Sequence, residues 1–521
     1  MTVFRNGTIV DGTGRAAFAG DLYVEGDRIA EVLRAEAAGA VPESAEIVDA
    51  SGCLVTPGFI DSHAHSDAYL LVEPSAPSKI SQGITTEING QCGGSAAPRY
   101  GQARLSSDWA AILGDRLCWR SFAEYRQAVE KAKIAVNTVS FIGHNTLRSS
   151  VVGYAGRRCT ADELKEMCRL LDESLAEGGY GLTTGLIYQP GCYSDTEEVF
   201  ALASVAARRG GYYATHMRSE GDGVLEAIDE VIALAARTGI RAEISHLKTA
   251  GAANWGKISA VLDKMESAVA DGILLGADRY PFCAAGTDLD IVLPEWAQEG
   301  GAPAELARLR DPVLRRRIVA EVDASRRDWS QVMIGGAWHP ETKAFSGRLV
   351  SEVADDDPGE FVCRTLELDG CKTGAFFFGM SEENLSRILS RPWVVPGSDA
   401  SLRAPWGVLG EDHPHPRAYA TMPEFYRRLR ELGVTRECAV ARMTSVPAQR
   451  FSIYRRGVLE RGAFADVAVW KDSSFGSAST YSSPHSFSTG VKAVMVNGAM
   501  TFLDGAFTGA RGGRFIGSEG R

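Results

Sequence analysis

The stretch Pro57-Gly58-Phe59-Ile60-Asp61-Ser62-His63-Ala64-His65 is an apolar run that ends in a His-x-His pair. Residues i and i+2 of a strand point to the same side, so His63 and His65 can present their imidazoles to one point. In an α/β barrel, active sites form at the C-terminal ends of the strands. The stretch therefore predicts a barrel strand that ends in two candidate metal ligands. A bare His-x-His is equally typical of two satisfied core histidines, so the rest of the chain has to decide.

Length and composition exclude several classes of protein. A chain of 521 residues exceeds the roughly 250–300 at which a single core stops growing, which predicts two or more domains. A net charge of -11 argues against a nucleic-acid partner. We expect no membrane partner, because the sequence has no apolar stretch near the ~20 residues of a membrane helix. The ten cysteines form no CxxC pair, and the N-terminus does not resemble a signal peptide, so we expect reduced thiols and a cytoplasmic location.

The middle of the chain alternates short apolar runs with helix signals. Thr160-Ala161-Asp162-Glu163 is a capping-box start, and the segment 222–239 shows the apolar periodicity of another helix. Strands that alternate with helices predict a parallel sheet, and eight runs favour closure into a (β/α)8 TIM-like barrel. The eight runs are 58–65, 84–92, 136–144, 181–188, 212–216, 241–246, 273–280 and 393–399.

Both ends of the chain are rich in β-forming residues and turns. This pattern predicts a small β-sandwich domain made from residues 1–56 and 446–521, beside a barrel that spans 57–445. More than one hundred residues separate the seventh run from the eighth. We expect an inserted subdomain at 285–345, because long loops in compact folds are usually functional or lid-like.

Several runs end in a side chain that can bind a metal. Taken singly, each has an ordinary structural role, as a buried cysteine, a core histidine or a helix cap. Their convergence on one barrel face favours a metal site, and the mixture of histidine, cysteine and aspartate suits zinc better than magnesium or calcium. The residues are His63, His65, Cys92, His216, His246 and Asp399.

The chain resembles the amidohydrolase superfamily in its opening stretch, and the D-aminoacylase (N-acyl-D-amino-acid deacylase) branch in further motifs. These motifs are Gln82-Gly83-Ile84-Thr85-Thr86 leading to Gln91-Cys92-Gly93, Gly143-His144-Asn145-Thr146-Leu147-Arg148, Gly185-Leu186-Ile187-Tyr188-Gln189-Pro190-Gly191, Thr215-His216-Met217-Arg218, Ser245-His246-Leu247-Lys248, Asp278-Arg279-Tyr280-Pro281, Gly397-Ser398-Asp399 and His415-Pro416-Arg417. The resemblance covers nearly the whole chain. Cys92 with His415-Pro416-Arg417 is its most specific part.

The resemblance implies a zinc-dependent hydrolysis of N-acyl-D-amino acids, and the D-stereochemistry rests on the resemblance alone. The branch uses a cysteine where most of the superfamily uses a carbamylated lysine. It implies one tight zinc held by Cys92, His216 and His246. A second, weaker site would use His63, His65 and Asp399, with Cys92 shared.

The expected chemistry is attack by water on an amide. Zinc lowers the pKa of bound water and polarises a carbonyl, and Asp399 is the natural general base. By resemblance, Lys248, Tyr280 and Arg417 would bind the α-carboxylate of a small-molecule N-acyl amino acid. Tyr188 is a candidate hydrogen-bond partner of the scissile carbonyl or its oxyanion.

Two loops depart from the pattern of the branch and leave the acyl and side-chain preference open. They are Asp399-Ala400-Ser401-Leu402-Arg403-Ala404-Pro405-Trp406 and the Gly93-Gly94-Ser95 segment. Arg403 can bind an acidic group, but we expect an exposed loop arginine. His144 and Arg148 fit either supports behind the ligands or a buried structural pair. Structural roles are expected for His339, His413 and His485.

Three alternatives remain open. A cyclic amidase of the hydantoinase or dihydroorotase kind shares the barrel and the His-x-His, but usually has a lysine at the end of the fourth strand. The fourth run, 181–188, contains no lysine. A deaminase of the superfamily is a second alternative, and a non-catalytic scaffold is a third. The oligomeric state is not predicted.

Overall fold

The computed structural model describes residues 1–37, 42–103 and 112–520. Its strands are β1 Thr2–Ile9, β2 Phe18–Glu25, β3 Arg28–Arg34, β4 Glu46–Asp49, β5 Leu54–Pro57, β6 Phe59–Asp61, β7 Ile84–Asn89, β8 Asn137–Ser140, β9 Ile142–Gly143, β10 Gly181–Gly185, β11 Tyr212–His216, β12 Arg241–Ile244, β13 Leu275–Arg279, β14 Ala285–Asp288, β15 Val332–Ile334, β16 Gly374–Phe377, β17 Val394–Pro396, β18 Val467–Trp470, β19 Gly476–Ser477, β20 Ser488–Thr489, β21 Val491–Val496, β22 Ala499–Leu503 and β23 Ala506–Phe507.

The α-helices lie mainly between the strands of the middle of the chain. They are Pro77–Ile80, Phe122–Ala132, His144–Val151, Ala161–Ala176, Thr196–Arg208, Val224–Thr238, Ile258–Ala270, Glu295–Gln298, Ala302–Arg310, Pro312–Ala324, Pro340–Lys343, Val350–Val353, Pro358–Asp369, Glu382–Leu389, Arg417–Glu431, Arg436–Met443 and Ser445–Arg450.

All eight predicted runs contain a barrel strand within the described residues. The strands follow one another in parallel pairs from β6 to β13 and then β17, and the third run is divided at Phe141 into β8 and β9. These strands form two sheets, β6-β7-β8 and β17-β13-β12-β11-β10-β9. Two hydrogen bonds connect the sheets into a barrel: Phe141 N donates to Asn89 O at 3.0 Å, and Ser62 N donates to Pro396 O at 3.1 Å. The prediction of an α/β barrel of the TIM class is confirmed.

Local sequence signals set the helices that surround the barrel. The hydroxyl of Thr160 accepts a hydrogen bond from Glu163 N at 3.3 Å, and the Glu163 carboxylate accepts one from Thr160 N at 2.7 Å. This capping box begins the helix Ala161–Ala176, as predicted. Its apolar face, including Met167, Leu171 and Leu175, is buried in the main hydrophobic cluster. Burial of that face, more than helix propensity, holds the helix on the barrel.

Both ends of the chain contribute to one mainly antiparallel sheet. Its order is β23-β22-β21-β18-β5-β1-β2-β3, and β4 pairs with β1. Both faces of β18 are buried: Val467 and Val469 lie in a cluster within the terminal segments, whereas Ala468 and Trp470 pack into the cluster of the barrel. Since alternate residues of a strand face opposite sides, this sheet joins the termini to the barrel.

The segment between β13 and β17 has a sheet and an apolar cluster of its own. The antiparallel sheet has the order β14-β16-β15, and its cluster extends from Leu289 to Ala375, beyond residue 345. Its strands β14 and β16 pair Gly286 with Phe376 and Asp288 with Gly374. In the part of the chain that the structure describes, no helix is long and apolar enough to cross a membrane.

Candidate metal centre

The predicted metal ligands lie together at the C-terminal ends of the barrel strands. Cys92, His246 and Asp399 each follow the end of a strand and have positive φ angles of 53°, 37° and 50°. Such left-handed backbone costs about 1–3 kcal/mol for a residue other than glycine and persists where surrounding structure holds it. Each of the three side chains contributes an atom to a cluster of candidate ligands. Three of the candidate ligands are therefore held in strained backbone by the structure around them.

One cluster consists of Cys92, His216 and His246, whose candidate ligand atoms all lie within 4.8 Å of one another. Cys92 Sγ is 3.4 Å from His246 Nε2. The rings of His216 and His246 are 4.5 Å apart in an edge-on arrangement. His216 is buried, yet neither of its ring nitrogens forms a hydrogen bond with a described residue.

A second cluster shares Cys92 and adds His63, His65 and Asp399. Cys92 Sγ is 3.3 Å from His63 Nε2. Asp399 Oδ1 lies 3.0 Å from His65 Nε2 and 3.4 Å from His63 Nε2. Its other oxygen, Oδ2, accepts a hydrogen bond from Arg417 at 2.7 Å. The two clusters therefore meet at one sulfur atom.

Glu220, which no sequence motif predicted as a functional residue, lies behind the first cluster. Its Oε1 is 2.9 Å from His246 Nδ1, and its Oε2 is 3.4 Å from His216 Nε2. It also forms an ion pair with Lys248. A carboxylate on the far nitrogen of a histidine fixes the ring orientation and the tautomer of a metal-binding imidazole. The only sequence signal for Glu220 is its position four residues after His216.

Asp278, the first residue of the motif Asp278-Arg279-Tyr280-Pro281, has the same relation to the second cluster. Its Oδ2 lies 3.0 Å from His63 Nδ1, and its Oδ1 accepts a hydrogen bond from His246 N at 2.9 Å. Asp278 thus orients one candidate ligand through its ring and another through its backbone. Gly397 allows this approach, since a Cβ there would lie 2.6 Å from Asp278 Oδ1.

The electrostatics of the centre are those of a cation site. Burial opposes ionisation of Cys92, but His63 and His246 hold the pKa of its thiol well below the usual value. Burial and Lys248 oppose protonation of His246, yet Glu220, Asp399 and Cys92 raise its pKa to about 10. The raised pKa indicates a negative electrostatic potential at the imidazole. The same potential that favours a bound proton also favours a bound divalent metal ion.

Asp399 is ionised in this setting. Burial alone would raise the pKa of its carboxyl group, but Arg417 and His246 lower it well below the usual range, helped by hydrogen bonds from His63 and His65. Glu220 behaves similarly, since His216, Lys248 and His246 outweigh its burial and lower its pKa well below normal.

A buried polar network holds the loop that carries Asp399. The Asp61 carboxylate accepts hydrogen bonds from Ser398 N at 2.7 Å and from Ser398 Oγ at 2.5 Å. Lys79 Nζ lies 2.8 Å from Asp61, 2.9 Å from Glu87 and 2.9 Å from the carbonyl of Ala400. These charges are fully buried and paired, so they fix the loop against the first strand.

A cavity of about 400 Å³ opens onto the centre, and its wall includes Tyr188 and Arg417 among the predicted substrate-binding residues. Tyr188 packs edge-on against His216, with ring centroids 4.9 Å apart. Lys248 and Tyr280 are buried and are not among the described residues of the wall. The Tyr280 hydroxyl has no hydrogen-bond partner among the described residues, and the Arg417 guanidinium lies 4.8 Å from its ring.

The remaining candidates have structural partners. His144 and Arg148 both pair with the buried Glu198, which favours the structural alternative for that pair. The expectation that Arg403 is exposed is wrong: its side chain is 12% exposed and lies 3.1 Å from Asp412. It also stacks over Tyr69, which explains its burial.

The three histidines with expected structural roles also have identified contacts. His339 caps a short helix by accepting a hydrogen bond from Glu341 N. His485 Nε2 lies 2.7 Å from the Asp412 carbonyl. His413 lines the cavity, and its Nε2 lies 2.7 Å from the carbonyl of Tyr481.

The donor set fits zinc. A thiolate and imidazoles are preferred zinc ligands, and the buried His216 nitrogens lack hydrogen bonds to any described residue. The far nitrogens of His246 and His63 face Glu220 and Asp278, as expected of metal-binding histidines. The geometry is that of a metal-dependent hydrolase, with an ionised carboxylate beside the candidate ligands.

Comparison with known proteins agrees with this class. The model of the Amidohydrolase family matches residues 46–502. The chain is 34% identical to N-acyl-D-glutamate deacylase of Alcaligenes xylosoxydans xylosoxydans, over 96% of this chain and 93% of that protein. It is 33% identical to D-aminoacylase of the same organism, over 98% of this chain and 96% of the relative.

A solved structure shows the same similarity in three dimensions. This is N-acyl-D-glutamate deacylase from Bordetella bronchiseptica, complexed with zinc and a phosphonate inhibitor that mimics the tetrahedral intermediate of the reaction. It superposes with a TM-score of 0.83 at 32% identity, over 99% of both chains. The chain therefore belongs to the amidohydrolase family, in its D-aminoacylase branch.

Proposed function

We propose that this protein is a zinc-dependent hydrolase that cleaves the amide bond of N-acyl-D-amino acids and releases a carboxylate and a free D-amino acid. The observation that carries the proposal is the pair of ligand clusters that meet at the Cys92 sulfur, beside the ionised Asp399. The similarity to two deacylases over nearly the full chain supports the same substrate class. A cyclic amidase is disfavoured, since Cys92 lies where both clusters meet and β10 has no lysine.

Under this proposal, Cys92, His216 and His246 hold the tight zinc. His63, His65 and Asp399, with Cys92 shared, form a second and weaker site. Zinc bound here supplies Lewis-acid polarisation of the amide carbonyl and makes water more acidic. Glu220 and Asp278 keep the imidazole rings in their orientations by holding the nitrogens that face away from the metal.

Asp399 is the proposed general base. Its ionised carboxylate can take a proton from the attacking water and pass it to the departing amine. Hydrogen bonds from His65 and Arg417 fix its two oxygens. Because both partners also stabilise its charge, the group is held in the form that accepts a proton.

Substrate binding uses the cavity beside the centre. Arg417 offers a planar guanidinium for the α-carboxylate, while Lys248 and Tyr280 place a positive charge and a hydroxyl behind the wall. Tyr188 is proposed to donate a hydrogen bond to the scissile carbonyl or the oxyanion that develops from it. Its hydroxyl lies 3.4 Å from Thr287 Oγ1 at the edge of the inserted sheet.

We further propose a division of the chain into three units. Residues 1–56 and 446–521 would form one β-rich domain, and residues 57–445 the barrel. The inserted unit would begin at residue 285. Its apolar cluster and the pairing of β14 with β16 favour an end near residue 377 over the end at 345 that was expected from the sequence.

The decisive test is a substrate screen with zinc-loaded protein. It follows release of free amine from matched N-acetyl-D- and N-acetyl-L-amino acids and ring opening of a hydantoin, with the Asp399→Asn variant as the control for contaminating activity. We expect the wild type to hydrolyse the D-substrates and the Asp399→Asn variant to show no such activity. Activity confined to L-substrates or to the ring would overturn the proposal.

A further inference from the structure

The inserted sheet forms one wall of the catalytic cavity. Its strand β16 and the residues just before it place Lys372, Gly374 and Phe376 in the cavity wall. Gly374 and Phe376 are two residues apart on β16, so they share one face of the sheet, and Lys372 precedes the strand by two residues. Opposite them, β14 presents Gly286 and Asp288, which pair with Phe376 and Gly374.

This wall is tied directly to the catalytic residues. Arg417 donates one hydrogen bond to Asp399 at 2.7 Å and another to the carbonyl of Gly286 at 3.1 Å. The pairing of β14 with β16 continues one step further, from Leu289 N to Thr373 O at 2.8 Å. Lys372 therefore lies next to a hydrogen-bonded strand end, in the wall of the same cavity as Arg417 and Asp399.

The positive charges of the wall differ in their partners. Arg417 pairs with Asp399, and Arg403 pairs with Asp412 at 3.1 Å. Lys372 forms no ion pair or hydrogen bond with any residue that the structure describes, although it is half-buried. A half-buried ammonium group without a counter-charge is partly desolvated and gains from an anion in the cavity.

We propose that Lys372 binds a second carboxylate on the substrate, carried either by an acidic amino-acid side chain or by a dicarboxylic acyl group. This rests on the proposed function, because the first carboxylate is the one bound at Arg417. A cavity of about 400 Å³ is of the size that holds a small-molecule ligand. Asp288 lines the same cavity, and its negative charge disfavours a bound anion. Asp288 should therefore reduce the preference for a diacid that Lys372 provides.

The test compares each diacid with a neutral substrate of similar shape. N-acetyl-D-glutamate is set against N-acetyl-D-glutamine for the side chain, and N-succinyl-D-alanine against N-butyryl-D-alanine for the acyl group. We expect one of the two diacids to be preferred by the wild type. The Lys372→Met variant should lower kcat/KM for that diacid roughly 10- to 100-fold and leave its neutral counterpart nearly unchanged.

Further variants distinguish a charge effect from a folding defect. Lys372→Arg should keep the preference, Asp288→Asn should strengthen it, and Lys264→Met should leave it unchanged, since Lys264 pairs with Asp229 far from the wall. The quantity to compare is kcat/KM for the preferred diacid divided by kcat/KM for its neutral counterpart. If the enzyme hydrolyses the neutral substrates and Lys372→Met does not change this ratio, the subsite is overturned and the proposed function still holds.

The subsite can also be tested if the proposed function is wrong. If no N-acyl-D-amino acid is hydrolysed, the proposed function fails, and the subsite is judged by calorimetric binding of N-acetyl-D-glutamate to zinc-loaded protein. Binding that weakens in Lys372→Met but not in Lys264→Met supports the subsite. Equal affinity for the wild type and Lys372→Met overturns it.

Discussion

The sulfur of Cys92 lies 3.4 Å from Nε2 of His246, and both residues have left-handed backbone at the ends of strands that are not neighbours in the barrel. Neither conformation is favoured locally, so the surrounding barrel has to hold both. Gly93 helps at the first position, because a Cβ there would lie 2.6 Å from the backbone nitrogen of Gly185. The contact brings a thiolate and an imidazole to the spacing of two ligands on one ion.

Removing the shared thiolate should release the metal. We expect Cys92→Ala to lose most of its zinc after dialysis, because Cys92 belongs to both ligand clusters. Elemental analysis of purified protein measures this directly. Cys168→Ala, a change in a half-buried thiol on the helix Ala161–Ala176, is the matched control and should keep its zinc. Unchanged zinc in Cys92→Ala would remove this residue from the ligand set.

Replacing the general base should separate turnover from folding. Asp399→Asn keeps the shape of the side chain but removes the proton acceptor, so we expect kcat to fall about 10²- to 10⁴-fold. Zinc at the tight site should remain. Asp412→Asn is the control, since Asp412 also lines the cavity but lies in neither ligand cluster. A near-normal kcat in Asp399→Asn would contradict the assignment.

Glu220 should act on metal affinity through the imidazole that it holds. Glu220→Gln retains the size of the side chain but weakens the bond to His246 Nδ1 and leaves Lys248 without its ion pair. We expect zinc affinity to fall roughly 10- to 100-fold, measured by competition with a chelator. Excess zinc should restore much of the activity, which a folding defect would not allow.

The control for Glu220 is an exposed glutamate in another ion pair. Glu197→Gln breaks a surface pair with Arg237 and should leave zinc affinity unchanged. Equal zinc affinity in Glu220→Gln and the wild type would show that the contact with His246 is incidental.

Glu243 should make the protein less stable as pH rises. Burial raises the pKa of Glu243 to about 7, although Arg450 pairs with it at 2.8 Å. The folded state therefore keeps a proton that the unfolded state loses above its ordinary carboxyl pKa near 4.3. Stability contributed by this group is full below that value and declines until pH reaches about 7.

The predicted loss between these limits is at most about 4 kcal/mol, since each unit of pKa difference is worth about 1.4 kcal/mol. Thermal unfolding of the wild type and of Glu243→Gln across this pH range measures it, and the variant should show a flatter profile. Glu226→Gln, which changes a carboxylate in the helix Val224–Thr238, should retain the wild-type slope. Identical slopes for all three proteins would contradict the raised pKa.

Local patterns were enough to predict the barrel strands and the candidate ligands. An apolar run that ends in His, Cys or Asp can be recognised in the sequence, because a strand and the residue that follows it are contiguous in the chain. The residues that orient the ligands carry no such pattern. Glu220 lies in a loop after β11, and Asp278 contacts His63 across 215 positions of sequence.

The inserted segment was likewise predicted only in part from the sequence. Its position followed from the long gap between the last two barrel runs, but its cluster extends to Ala375, beyond the expected limit at 345. Arg403 appeared to be an ordinary loop arginine, and only the positions of Tyr69 and Asp412 show why it is buried. Lys372 has no distinguishing sequence context at all.

The amino-acid sequence alone was sufficient to predict the barrel class, the family and the chemical identity of the candidate ligands, because strand periodicity and motif spacing are local properties of the chain. The folded structure was needed to show that two ligand clusters share Cys92, that Glu220 and Asp278 contact the imidazoles, and that Lys372 faces the cavity. These relationships depend on barrel closure and on packing of the insertion. Contacts of that kind join residues far apart in the chain, and no local pattern encodes their distances.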